Sequence, residues 1–156
     1  GPVDAARARQ LILGWLARRE HSRAEVRAKL ARKGCPPGVA EEVIAALTAQ
    51  GLLSDERFAE SLVRSRRRRG YGPVRIRREL EEKGLDAEAI GRHVDARAGE
   101  WLDEVERVRR RKFGAALPES YEERVRQARF LQYRGFTHEQ IRRALNSRAA
   151  DLPESV

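Results

Sequence analysis

Eight arginines and no acid stand between Ser61 and Arg78: Arg64, Arg66, Arg67, Arg68, Arg69, Arg75, Arg77 and Arg78. Guanidinium groups grip phosphates and carboxylates in pairs. A block of one sign on this scale therefore reads as a contact surface for a polyanion or an acidic protein face, or else as a solvated helix face. Tyr71 lies inside the block, between Gly70 and Gly72. It is either a partner contact or a packed turn residue. A second run, Arg107, Arg109, Arg110, Arg111 and Lys112, follows an acidic stretch and invites the same two readings. Arg66 to Arg69 span more than one helical turn and cannot all face one way. Arg75 and Arg78 are three apart and share a face, so a turn that folds the two helices together yields one basic surface.

Other chemistry is poorly supplied. Glu79, Glu81, Glu82, Asp103, Glu104 and Glu106 lie among arginines and read as ion-pair partners. No phosphate-binding glycine loop, nucleophile–base pair or metal-ligand spacing occurs, and the three histidines are scattered. We therefore expect no enzymatic activity, no metal and no cofactor. The single Cys35 excludes an internal disulfide and reads as a small apolar cap contact. No stretch has the length of a membrane span, and the cytoplasm is the default compartment. Gly1-Pro2 reads as a cleavage scar. With no Met in the chain, a longer natural protein that begins upstream is expected.

The elements that carry these residues are helical. The chain has 156 residues, 40% apolar and 37% charged, with a net charge of +9, which suits a thin, elongated core. Leu11, Ile12, Trp15 and Leu16 share one helical face, with Ala8 a turn earlier. Gly and Pro punctuate the chain every ten to sixteen residues or so, and sustained strand alternation is missing. A repeat emerges at Lys33-Gly34-Cys35, Lys83-Gly84-Leu85 and Arg134-Gly135-Phe136. Leu30, Leu80 and Leu131 precede these glycines by four residues, and Ile44, Val94 and Leu145 follow by ten. Each glycine reads as a left-handed helix stop. Ser22 with Glu25, Ser120 with Glu123 and Thr137 with Gln140 read as capping boxes, and Ser54 and Asp86 stand at helix starts. Pro73 suits a first turn. The expected fold is all-α, a tandem array of three three-helix repeats over residues 5–51, 52–97 and 98–148, with a loose tail from Asp151 to Val156. Trp15, Phe58, Trp101, Phe130 and Phe136 are assigned to the core.

Several stretches together resemble the RecX family. They are residues 16–26, from Leu16 to Val26; Arg32-Lys33-Gly34; Asp55-Glu56-Arg57-Phe58-Ala59, continuing to Val63-Arg64-Ser65-Arg66, Gly70-Tyr71-Gly72-Pro73 and Ile76-Arg77; and residues 129–136, from Arg129 to Phe136. They follow the family's order along nearly the whole chain. His21 departs where the family often has an aromatic residue, and Ser54 where an acid is common. The resemblance implies a non-catalytic regulator that binds the RecA filament on single-stranded DNA, in its groove. It would inhibit RecA's ATP hydrolysis, strand exchange and coprotease activity. Expected partners are that filament and single- and double-stranded DNA, with the protein a monomer. The residues assigned to the contact are Arg64, Arg66, Arg67, Arg68, Arg69, Tyr71, Arg75, Arg77 and Arg78. The rival reading is a direct nucleic-acid-binding protein or helix-turn-helix-like DNA regulator.

Overall fold

Helix caps and glycine stops divide the chain, and the computed structural model describes residues 2–146 and Leu152. The helices are α1 (Ala5–Leu16), α2 (Arg23–Arg32), α3 (Pro37–Ala49), α4 (Asp55–Arg68), α5 (Pro73–Glu82), α6 (Ala87–His93), α7 (Glu100–Phe113), α8 (Tyr121–Tyr133) and α9 (His138–Ala144). No strand occurs among the described residues. The fold is all-α, a tandem array of three-helix repeats. Of the tail, only Leu152 is described, and it is buried; the remainder of that expectation lies outside the described residues.

The middle helix of each set ends in the same way. Gly34, Gly84 and Gly135 adopt φ of 83°, 89° and 97°. The next residue's N–H reaches back to a leucine carbonyl, Cys35 to Leu30 at 3.0 Å, Leu85 to Leu80 at 3.1 Å and Phe136 to Leu131 at 3.2 Å. This is the Schellman bond, and it satisfies a carbonyl that the helix end would leave unpaired. It also folds the residue after glycine inward. Leu30, Leu80 and Leu131 are fully buried, and Cys35, Leu85, Phe136, Ile44, Val94 and Leu145 are buried with them.

The starts follow the expected chemistry with one difference. Ser22 with Glu25 and Thr137 with Gln140 form reciprocal capping boxes. Ser54 accepts the Arg57 N–H, and Asp86 accepts that of Ala89. Ser120 accepts from the Glu123 N–H, but the Glu123 carboxylate is held by Arg126 and Gln127 instead.

The described residues form two compact units, one from those within the segments 2–62 and 80–93, the other from those within 63–79 and 94–146 together with Leu152. In the first, Ile12, Val26, Leu30, Val43, Ile44 and Leu47 form the centre of one apolar cluster. There the turn after α5 sits on the start of α2. Ser22 Oγ donates to the Lys83 carbonyl at 2.8 Å, and a Cβ added at Gly84 would lie 2.4 Å from that of Ala24. Glu25 binds Arg19 at 2.6 Å and Lys83 at 3.2 Å. Burial pushes the Glu25 pKa up, but the hydrogen bonds from Arg19 and Lys83 outweigh it and hold it at about 2. His21 is buried, with its ring stacked on Trp15 at 6.4 Å and its nitrogens 3.0 Å from the Arg19 carbonyl and 3.0 Å from Lys29 Nζ. Burial lowers its pKa. Trp15 is half-buried and packs against the edge of that cluster, with Lys29 over its ring at 4.6 Å.

Candidate nucleic-acid interface

In the second unit the turn between α4 and α5 is fastened to the turn between α8 and α9. Gly72 N–H donates to the Arg134 carbonyl at 2.7 Å, and Val74 N–H to that of Gly135 at 2.8 Å. These backbones approach so closely that a Cβ on Gly72 would lie 2.6 Å from the Gly135 carbonyl carbon and oxygen. Gly70 makes the turn, with φ 81°, and Gly72 permits the approach. The glycines flanking Tyr71 thus serve contact within the chain.

This fastening places the C-terminal turn of α4 beside α7 and α8 and forms a cleft of about 190 Å³. Its cations are Arg67, Arg68, Arg69, Arg107, Arg111, Lys112 and Arg134, seven in all, and its one carboxylate is Glu104. Val108 and Phe136 supply apolar wall, and Tyr71 and Phe130 supply rings. Glu104 is already engaged. It accepts from Arg67 Nε at 2.7 Å and from Nη2, and Arg107 lies 3.7 Å away. Burial opposes the Arg67 charge, but Glu104 and Glu100 outweigh it and raise its pKa. Trp101, fully buried, lies beneath the Arg67 guanidinium at 4.6 Å.

The nine residues assigned from the sequence separate into distinct environments. Arg67, Arg68, Arg69 and Tyr71 line the cleft. Arg64, Arg68, Arg69 and Arg78 are exposed. Arg66 is held by Glu79 at 2.6 Å, and Arg77 donates to the Val94 carbonyl. Arg75 lies 4.0 Å from the Tyr71 ring centre and 3.8 Å from Glu79. Glu79 thus draws Arg66 and Arg75 together and the Val94 carbonyl binds Arg77, so these three arginines are engaged within the chain. Arg134 joins Arg75 at the Tyr71 ring, 4.8 Å from its centre. Cations so placed attract the ring's negative face.

The second arginine run also divides. Arg109 is fully buried. Its guanidinium donates to Glu106 through Nε at 3.3 Å and Nη2 at 2.9 Å, and to the carbonyls of Gly114, Ala115 and Ala116 at 3.3–3.4 Å. All five of its N–H donors are used. It is the strut of the turn after α7 and not a partner contact. The sequence carried a signal for this, because Trp101, Val105 and Arg109 fall four apart on one buried stripe. Arg107, Arg111 and Lys112 face the cleft instead. Phe130 is a further correction. It is half-buried, meets Phe113 edge-on at 5.4 Å, and has Arg134 and Lys112 at 5.2 and 5.4 Å from its ring centre. The ion-pair reading holds for Glu79, Glu104 and Glu106.

Among the described residues, no helix is long and apolar enough to cross a membrane. No group of three or more His, Cys, Asp or Glu there is arranged to hold a metal ion.

Three family models match the chain: RecX, first three-helix domain, over residues 8–47; RecX, second three-helix domain, over 54–92; and RecX, third three-helix domain, over 100–145. The Regulatory protein RecX of Halorhodospira halophila is 48% identical over 136 residues, covering 87% of this chain and 84% of its own. That of Pseudomonas syringae pv. tomato is 42% identical over 143 residues, covering 92% of each chain. In structure the chain is similar to RecX from Lactobacillus salivarius, with a TM-score of 0.77 at 20% identity over 92% of this chain and 95% of that one. A second crystal structure of regulatory protein RecX gives 0.73 at 22% identity over 91% and 71%.

Proposed function

The chain belongs to the RecX family of regulatory proteins, and from that premise we propose that it binds the RecA filament on single-stranded DNA and inhibits it. Binding lies in the filament groove. It suppresses ATP hydrolysis, strand exchange and coprotease activity without chemistry of its own. The protein acts as a monomer in the cytoplasm. The three repeats, residues 5–51, 52–97 and 98–148, contact successive protomers, so one molecule bridges neighbours.

The observation that carries this reading is the cleft with seven cations and one engaged carboxylate. Such a surface attracts phosphates and acidic protein faces, and its affinity falls with salt. Of the contact residues proposed from the sequence, Arg68 and Arg69 are exposed cations that line this cleft, and Arg78 is an exposed cation outside its lining. Arg67, Arg75 and Tyr71 position the surface, while Arg66 and Arg77 are held by Glu79 and Val94.

The test is ATP hydrolysis by the cognate RecA on saturating single-stranded DNA, with this protein at a small fraction of the RecA concentration. Strong inhibition is expected, and it cannot come from masking DNA, because too few molecules are present. No inhibition at equimolar protein overturns the reading. A folded Arg68→Ala/Arg75→Ala/Arg78→Ala variant is expected to relieve the inhibition; unchanged inhibition removes these residues from the contact.

A further inference from the structure

Phe130 occupies a repeat position that the fold does not need to be aromatic. Five residues before the glycine stops stand Lys29, Glu79 and Phe130. The first two repeats close with a charged residue there, so Phe130 belongs to the cleft and not to the repeat. Phe113 meets the Phe130 ring edge-on, and the cations Lys112 and Arg134 are set over it. Tyr71 is similarly attended by Arg75 and Arg134. Long flexible cations can swing off a ring where packed carbon cannot. Arg68 and Arg111 line the same cleft with no acid paired to them among the described residues. Ring faces beside unopposed cations match the two halves of a nucleotide, a flat base and its phosphate. An acidic peptide would satisfy the cations and leave the rings unused.

We infer that this cleft is a nucleotide slot, taking one unstacked nucleotide of a single strand with its base on Phe130 and its phosphates on Arg68, Arg111 and Lys112. The inference deepens the regulator reading and rests on it for the choice of a nucleic-acid strand as occupant. It adds that a base is held as well as the backbone charge. A duplex, whose bases are stacked inside, fits the cations alone.

The experiment measures binding, by fluorescence anisotropy, of a labelled short oligothymidylate and of an abasic deoxyribose-phosphate strand of equal length. The full chain is used without RecA. The base-bearing strand is expected to bind roughly tenfold more tightly, in the range that one stacked base contributes. Phe130→Leu keeps apolar bulk beside Phe113 and is expected to bring that ratio near one. Its affinity for the abasic strand and its salt slope should be unchanged. Arg111→Ala should weaken both strands and lower the slope by about one. If Phe130→Leu loses helicity, photocrosslinking of a 5-bromouracil strand to the unmodified protein replaces it, with adducts expected on Phe130. Equal affinity for the two strands, or adducts only on other residues, overturns the slot. Displacement of the strand by micromolar ATP or thymidine monophosphate gives the slot to a free nucleotide and overturns the strand as its occupant. A preserved base effect without RecA inhibition defeats the regulator reading alone. Inhibition without a base effect defeats the slot alone.

Discussion

The first unit and the second contain the same backbone joint built with opposite side-chain chemistry. In each, a glycine stop presses on the first turn of a helix that lies sixty residues earlier, Gly84 on Ala24 and Gly135 on Arg75. In each, the carbonyl before that glycine takes a hydrogen bond from the helix start, Lys83 from Ser22 Oγ and Arg134 from Gly72 N–H. Around the first joint a buried carboxylate is shared, Glu25 held between Arg19 and Lys83. Around the second, Arg75 and Arg134 share the Tyr71 ring instead of a carboxylate, and Glu79 binds Arg75 from its own helix. The backbone thus solves the packing problem once. What the side chains add decides whether a joint is closed upon itself or left positive for a partner.

The sharpest way to break the comparison is at its closest approach. Gly72→Ala places a Cβ 2.6 Å from the Gly135 backbone, which no rotamer can relieve. The expected loss is about 3 kcal/mol or more, with the cleft distorted, read by denaturant unfolding and by the loss of strand binding together. Ser22→Ala removes the corresponding bond of the first joint along with a helix cap. It should cost about 1–3 kcal/mol and leave binding by the cleft intact. Equal loss of binding in the two variants would show that the joints do not divide structure from contact as described.

Acid sharpens the contrast further. The Glu25 pKa is lowered from 4.5 to about 2, so its contribution is fully present above 4.5 and is lost as pH falls toward 2. With its partners partly solvated, the loss is roughly 1–2 kcal/mol. Melting curves of the unmodified protein and Glu25→Gln should converge across that window, and parallel curves would contradict the assignment. The smallest effect belongs to Tyr71. Tyr71→Phe keeps the ring for Arg75 and Arg134 and should change stability little, whereas Tyr71→Ala should cost about 0.5–1 kcal/mol.

The repeat was legible because its signals are local. A glycine, the leucine four before it and the apolar residue after it lie within one turn of chain, and Leu30, Leu80 and Leu131 are buried as that spacing requires. The cleft was legible only in part. Arg67, Arg68, Arg69 and Tyr71 announce themselves by density, but Lys112, Phe130 and Arg134 arrive from α7, α8 and the turn after α8. No spacing rule links those positions to residue 71, because the link is the contact of Gly72 with Gly135. Arg109 shows the converse failure. Charge density placed it on the surface, while its helical phase with Trp101 and Val105 turned it inward, where carbonyl groups supply what water would have.

The joints also order the birth of the protein on the ribosome. Ser22 Oγ finds its acceptor 61 residues downstream. At about 5–20 residues per second, that carbonyl follows the hydroxyl by roughly 3–12 s. During that interval the first three helices can collapse on their own apolar cluster, but the start of α2 keeps an unclaimed donor. The second joint repeats the delay, since Gly72 must wait for Arg134. Synthesis therefore runs ahead of each clasp by about sixty residues, and the turns at Gly84 and Gly135 each lock a helix start that left the tunnel seconds before.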